Sequence, residues 1–262
     1  MTDIGAALSD VFGLSGKTAL VTGAGSGLAE MIAMTLARAG ARVVVAHDAG
    51  AEAERVAAAI GQAGGAARSV VCDVTDESSI VAMFEGCAAH GDTPEIVVLG
   101  AMMQGGVPAV EMSAEQWDAM FAVNLRGAFL TAREAIRQML ARKSGGRILA
   151  LSTIGSEHPV LRGNAAYGSS KAGLNQMCRN LAFEHAADGI RVNAILPGAI
   201  PGNAPRMAGA IASDGPGSRP DRHLSGYGEQ TDVGWLAVYL ASPAARYVTG
   251  QTFVIDGGFQ VG

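Results

Sequence analysis

Seven short apolar runs recur along the chain: "KTALVT" (17–22), "ARVVVAH" (41–47), "ARSVVCDV" (67–74), "EIVVLGA" (95–101), "GRILALST" (146–153), "IRVNAIL" (190–196) and "QTFVID" (251–256). Each is rich in strand formers, and most are bounded by glycine or polar residues. Between them lie alanine-rich stretches with helical spacing, at 27–39, 51–63, 76–89, 113–141, 165–187 and 229–241. Continuously apolar strands that alternate with helices predict a parallel sheet covered on both faces. Right-handed crossovers then make the topology doubly wound. The expected fold is therefore an α/β, Rossmann-type parallel sheet of about seven strands, built as a single unit over residues 1–262.

One stretch breaks the rhythm. Residues 200–227, "IPGNAPRMAGAIASDGPGSRPDRHLSGY", are rich in Gly, Pro, Ser and Asp and too long for a plain connection. The stretch follows a strand end, where α/β proteins bind ligands, so it reads as a substrate lid.

Composition narrows the functional class. The net charge is −5 and no basic run or aromatic-rich basic patch occurs, which argues against nucleic acid as a partner. No apolar run reaches the ~18 residues of a membrane span. The first residues, "MTDIGAALSDVFG", lack the basic region of a signal peptide. Cys72, Cys87 and Cys178 are far apart and odd in number, which fits buried thiols in a reducing, cytoplasmic compartment. The histidines show no metal-ligand spacing, so no metal site is expected. Charged residues make up only 16%, consistent with a homo-oligomer, dimer or tetramer.

Two motifs carry chemistry. "VTGAGSGLAE" follows the first strand and opens the first long helix, with Gly23, Gly25, Ser26, Gly27 and Leu28 in the turn. Glycines there allow a tight turn against a pyrophosphate, which the helix N-terminus then holds. In "NAAYGSSKAGLNQ", Tyr167 and Lys171 stand one helical turn apart among small residues. A free phenol has a pKa near 10, and bringing it to about 7 takes ~4 kcal/mol. A positive charge ~4 Å away at an effective dielectric of ~20 supplies about that much.

The turn, "CDV", "FAVNLRG", the Tyr167/Lys171 pair, "RVNAILPGAI" and "YVTGQTFVIDGG" occur in order and together resemble the short-chain dehydrogenase/reductase family over residues 14–260. The resemblance implies hydride transfer between a nicotinamide cofactor and a secondary alcohol or ketone. Tyr167 would be the general acid/base, Lys171 would act on it and on the nicotinamide ribose, and Asn124 would hold a relay water. The substrate-polarising hydroxyl falls on Thr153, with Ser152 as the alternative. Strand alternation sends these two to opposite sides. Cofactor contacts are expected from His47 and Asp48 after the second strand, Asp73 and Val74 at the adenine, Gly100 and Ala101, and Pro197, Gly198 and Ile200. Asp48 would repel a 2′-phosphate and favours NAD, with NADP through a protonated His47 as the alternative. The family's "NNAG" is replaced by Leu99, Gly100, Ala101 and Met102, and a threonine often found near position 202 is Gly202. A protein of this fold without redox turnover, such as a nucleotide-binding sensor or structural subunit, or a non-redox lyase or dehalogenase, is the competing reading. Met102, Met103, Met207 and His158 are candidate substrate contacts, and the methionines favour an apolar or alicyclic substrate.

Overall fold

The structure, a computed structural model, describes residues 4–202, 207 and 209–262. After a helix α1 (Ile4–Phe12), which the apolar pattern does not predict, strands and helices alternate: β1 (Thr18–Thr22), α2 (Gly27–Arg38), β2 (Arg42–His47), α3 (Gly50–Gln62), β3 (Ala66–Val71), α4 (Glu77–Ala89), β4 (Ile96–Leu99), α5 (Ala114–Phe121), α6 (Ala128–Arg142), β5 (Gly146–Leu151), α7 (Ala165–His185), β6 (Ile190–Pro197), α8 (Gln230–Ala241) and β7 (Thr252–Ile255). The strands form one seven-stranded sheet in the order β3-β2-β1-β4-β5-β6-β7, and every pairing is parallel.

The alternation within each strand explains why both faces are covered. Leu20, Val44, Val97 and Ile148 point to the side packed by Phe84 of α4, Met139 of α6 and Leu174 of α7. Their neighbours Val21, Val45, Val98 and Leu149 point to the other side, packed by Ile32 and Leu36 of α2, Val56 of α3 and Ala237 of α8. Apolar surface thus leaves water on both faces, which is why these strands read as unbroken apolar runs rather than alternating ones. The order reverses between β1 and β4, and the crevice beyond their C-terminal ends is where such sheets take ligands.

Two expected elements are altered. The single helix foreseen over 113–141 is interrupted by a π-helical stretch, Ala122–Gly127, between α5 and α6. The central strands are tied by a residue other than the missing asparagines. The Thr22 hydroxyl donates to Val98 O (3.2 Å) and accepts from the amides of Gly100 (3.2 Å) and Ala101 (3.4 Å). It fixes the bend where β4 leaves the sheet.

Candidate active site

The glycine turn is shaped by close approach. Gly23 has φ +68°, and a Cβ there would lie 2.5 Å from Ala101 Cα. Gly25 lies flat against the His47 ring, with a Cβ position 2.6 Å from its Cδ2. No side chain at this position could be accommodated without moving the imidazole. Gly27 faces open space. Ser26, the N-cap of α2, makes no side-chain cap to the first amides of the helix. Those amides and the positive end of the helix dipole are therefore suited to an anion in front of the turn. This donor set fits the pyrophosphate of a dinucleotide.

A cavity of about 410 Å³ begins at this turn and runs to Tyr167. Of the expected cofactor contacts, Gly23, Ser26, Gly27, Leu28, His47, Asp48, Asp73, Val74, Gly100, Ala101, Pro197, Gly198 and Ile200 all line it. Gly25 stands outside the lining, behind the turn. The Asp73 carboxylate also shapes its own loop, accepting from the Thr75 amide (2.8 Å) and hydroxyl (2.7 Å). Nδ1 of His47 lies 2.9 Å from Asp48 Oδ1, and both face the Ala49 amide.

At the other end Tyr167, Ser152 and Thr153 line the same cavity. Among the described residues the Tyr167 hydroxyl has no hydrogen-bond partner, although the side chain is buried. Burial pushes the phenol up to about 12 and pulls the Lys171 ammonium down to about 7. The acidified phenol expected from the Tyr-Lys spacing is thus not what the folded chain presents. Lys171 is fully buried, lies outside the cavity lining, and donates to Leu151 O at the end of β5 (2.8 Å). Desolvation outweighs any mutual effect of the pair.

The two candidate hydroxyls differ in what they do with their protons. Ser152 donates, at 3.4 Å, to Lys171 O. Thr153 accepts from the Gly155 amide (3.2 Å), which leaves its own proton free to point into the cavity. Asn124 is buried within the π-helical stretch. It accepts from Met103 N (2.8 Å) and donates to Met103 O (2.9 Å) and Ser170 Oγ (3.1 Å), so it pins the segment after β4 to α7.

The four expected substrate contacts separate. Met102 lines the cavity. Met103 and Met207 do not; both pack in a small apolar cluster with Val107, Met120, Ala166 and Tyr167. His158 is exposed and away from the cavity, on the turn that follows Thr153. Val110 is also solvent-exposed. Residues that the sequence did not single out join Met102: Gln104, Val160, Leu161, Arg162 and Asn164; the stretch expected to form a lid contributes Ile211 to Ser213. Ile211 pairs with Gly106 in an isolated antiparallel bridge, which brings that stretch down onto the cavity. Residues 203–206 and 208 of the expected lid lie outside the described residues.

Among the described residues no group of three side chains is arranged to hold a metal ion, and no helix is long and apolar enough to cross a membrane.

Comparison with known proteins agrees with this geometry. Residues 23–260 match the family described as Enoyl-(Acyl carrier protein) reductase. The 3beta-hydroxysteroid dehydrogenase 1 of Eggerthella lenta is 37% identical over 250 residues, covering 94% of each chain. The crystal structure of a short-chain type dehydrogenase/reductase from Mycobacterium marinum superposes with a TM-score of 0.86 at 30% identity, covering 97% of this chain and 99% of that one. The gluconate 5-dehydrogenase of Burkholderia cenocepacia, solved with NADP and tartrate, gives 0.88 at 29% identity, covering 97% and 99%.

Proposed function

The chain belongs to the short-chain dehydrogenase/reductase family and is a nicotinamide-dependent oxidoreductase of alcohols; on that premise we propose that it interconverts apolar, alicyclic secondary alcohols and their ketones, with NAD as its preferred cofactor. The observation that carries the chemistry is a buried, unpartnered phenol at the end of a cavity that starts at an anion-binding glycine turn. Tyr167 exchanges a proton with the substrate oxygen. Thr153 donates a hydrogen bond to that oxygen, and Ser152 stays bound to α7. Lys171, anchored on Leu151 O, brings positive charge close to the phenol when it is protonated. When bound, the nicotinamide supplies the hydride acceptor or donor and, in its oxidised form, a further positive charge. A phenol held near 12 is suited to giving its proton to a ketone; taking one from an alcohol needs both charges. Asn124 holds the backbone beside these groups. Residues 200–227 act as a lid within this single catalytic unit.

The substrate class follows from the cavity wall. Met102, Val160, Leu161 and Ile211 are apolar, and Arg162, the one arginine or lysine in the lining among the described residues, is paired with Asp214 at 3.1 Å. Among the described residues a polyhydroxy acid would find no unpaired arginine or lysine in the lining for its carboxylate. The cofactor preference follows from Asp48, whose side chain is 74% exposed at the adenosine end. Three unpaired, buried cysteines support a reducing, cytoplasmic setting. Exposed Phe129 and Leu140 on α6 and Phe183 on α7 support a homo-oligomer.

The test is a panel of cyclic secondary alcohols and gluconate, assayed by nicotinamide absorbance with each cofactor. Tyr167→Phe should lower kcat by ~10²-fold or more while cofactor affinity is kept. Undiminished turnover in that variant would refute the role of the phenol. Faster oxidation of gluconate than of the cyclic alcohols would refute the substrate class.

A further inference from the structure

An ionic cluster lies directly behind the glycine turn, outside the cavity. Arg55, in the second turn of α3, donates from one guanidinium nitrogen to the carbonyl of Gly25 (2.7 Å). The guanidinium also makes a two-pronged ion pair with Glu30 of α2 (2.9 Å to each oxygen), and its Nε donates to Glu52 (3.0 Å). Gly25 is the residue whose other side lies against the His47 ring. Arg55, the turn and the end of β2 are therefore contiguous, and Gly25 lies between the guanidinium and the His47 ring, which lines the cavity. Forked pairing with a carboxylate is the geometry that a guanidinium also uses for a phosphate. Two carboxylates against one guanidinium leave the cluster one charge negative, beside the carboxylates of Asp48 and Asp73 in the cavity wall.

We propose that Glu30 and Glu52 set cofactor selectivity by occupying Arg55, so that the cation directly behind the turn is withheld from a 2′-phosphate of the cofactor and its charge is overcompensated. The inference rests on the NAD preference proposed above. Its physical content is separate: Arg55 is a phosphate-binding side chain in waiting, and its two acidic partners determine whether it is used. Glu30 is in the first turn of α2, where a carboxylate is favoured by the helix dipole, so the same residue also steadies the helix that carries the turn.

The test replaces charge while keeping shape. The Kd values of NAD and NADP are measured by calorimetry for the wild type, for Glu30→Gln/Glu52→Gln, and for that double variant with Arg55→Ala added. Removal of two negative charges beside a doubly charged phosphate should improve the NADP-to-NAD affinity ratio roughly tenfold or more at low salt. Adding Arg55→Ala should take back at least half of that gain, because the cluster carries −1 in the wild type, +1 in the double variant and 0 in the triple variant. An unchanged ratio in the double variant overturns the inference, and so does a gain that persists in full without Arg55. A wild-type preference for NADP overturns the NAD reading alone, because the shift between wild type and double variant is still measured. Should the double variant fold poorly, the single Glu30→Gln variant, which removes the forked partner, must show a shift of the same sign.

Discussion

Lys171 offers the sharpest check on the electrostatics of the site. Its ammonium is fully buried, is held by one backbone carbonyl, and has its pKa lowered from 10.5 to about 7 by desolvation. In the unfolded chain the group titrates near 10.5. Between about pH 7 and 10.5 the unfolded state therefore binds more protons than the folded one, and stability must rise with pH across that window. The contribution is complete above 10.5 and is lost as the pH falls to about 7. A shift from 10.5 to about 7 corresponds to about 5 kcal/mol, at ~1.36 kcal/mol per unit. Tyr167 acts in the opposite direction only above pH 10, since burial raises its pKa from 10.0 to about 12. Lys171→Met keeps the length of the side chain and removes the titration. Its loss of the bond to Leu151 O costs about 1 kcal/mol. The variant should be more stable than the wild type at pH 6 by ~2–5 kcal/mol, and the difference should close towards pH 10. Urea denaturation at intervals from pH 6 to 10 measures it. A difference that does not change with pH would mean that Lys171 remains charged throughout, and the argument from burial would fall.

Other outcomes follow from the same geometry. Thr153→Ala should lower kcat tenfold or more, on the order expected for loss of one donor to the reacting oxygen, while Ser152→Ala should change it by less than about threefold; steady-state kinetics showing the reverse order would move the role to Ser152. Asn124→Ala removes the side-chain partner of the half-buried Met103 amide and carbonyl and should cost ~1–3 kcal/mol in denaturant unfolding, at about 0.5–1.5 kcal/mol per lost hydrogen bond; a loss below ~0.5 kcal/mol would mean that the segment after β4 is held by something else. Spectrophotometric titration of the free protein near 295 nm should show no Tyr167-dependent phenolate below pH 10, judged against Tyr167→Phe; an ionisation near pH 7 would restore the acidified phenol that the sequence alone predicts.

The sheet could be read from the sequence because its strands are buried on both sides. Runs such as "ARVVVAH" and "GRILALST" carry no competing helical period, and glycine or polar residues mark their ends. The strand ends were read too long at β3, β4 and β5, since apolar residues continue past the last pairing: Cys72, Gly100 and Ser152 are in the cavity wall or the bend instead. The π-helical stretch was not legible. Nothing in "FAVNLRG" departs from helical spacing, and the widening depends on Asn124 reaching the backbone of Met103, a contact between segments distant in sequence. The cofactor half of the cavity was legible because strand ends and a glycine turn locate it from topology. The substrate half was not, because loops build it. Met103 and Met207 have the character of pocket residues yet pack in a cluster with Tyr167 outside the cavity lining, and Ile211 reaches the lining from a stretch bridged to Gly106.

The tyrosine-lysine pair shows where spacing stops being sufficient. Four residues along a helix put two side chains on one face, and the sequence therefore predicts that a charge of one acts on the other. Burial enters with the fold. Once α7 packs over the end of β5, each group loses water, and each is driven towards its neutral form: the phenol keeps its proton and the ammonium tends to lose one. Lys171 then takes the Leu151 carbonyl, the acceptor that the strand end presents. A site in this condition favours proton donation at neutral pH and becomes a base only when positive charge is added within the same dry space. Protonated Lys171 is one source and an oxidised nicotinamide is the other. Oxidation of an alcohol should therefore depend more steeply on pH than reduction of the matching ketone. Equal pH dependence in the two directions would show that the phenol's proton affinity does not govern the reaction.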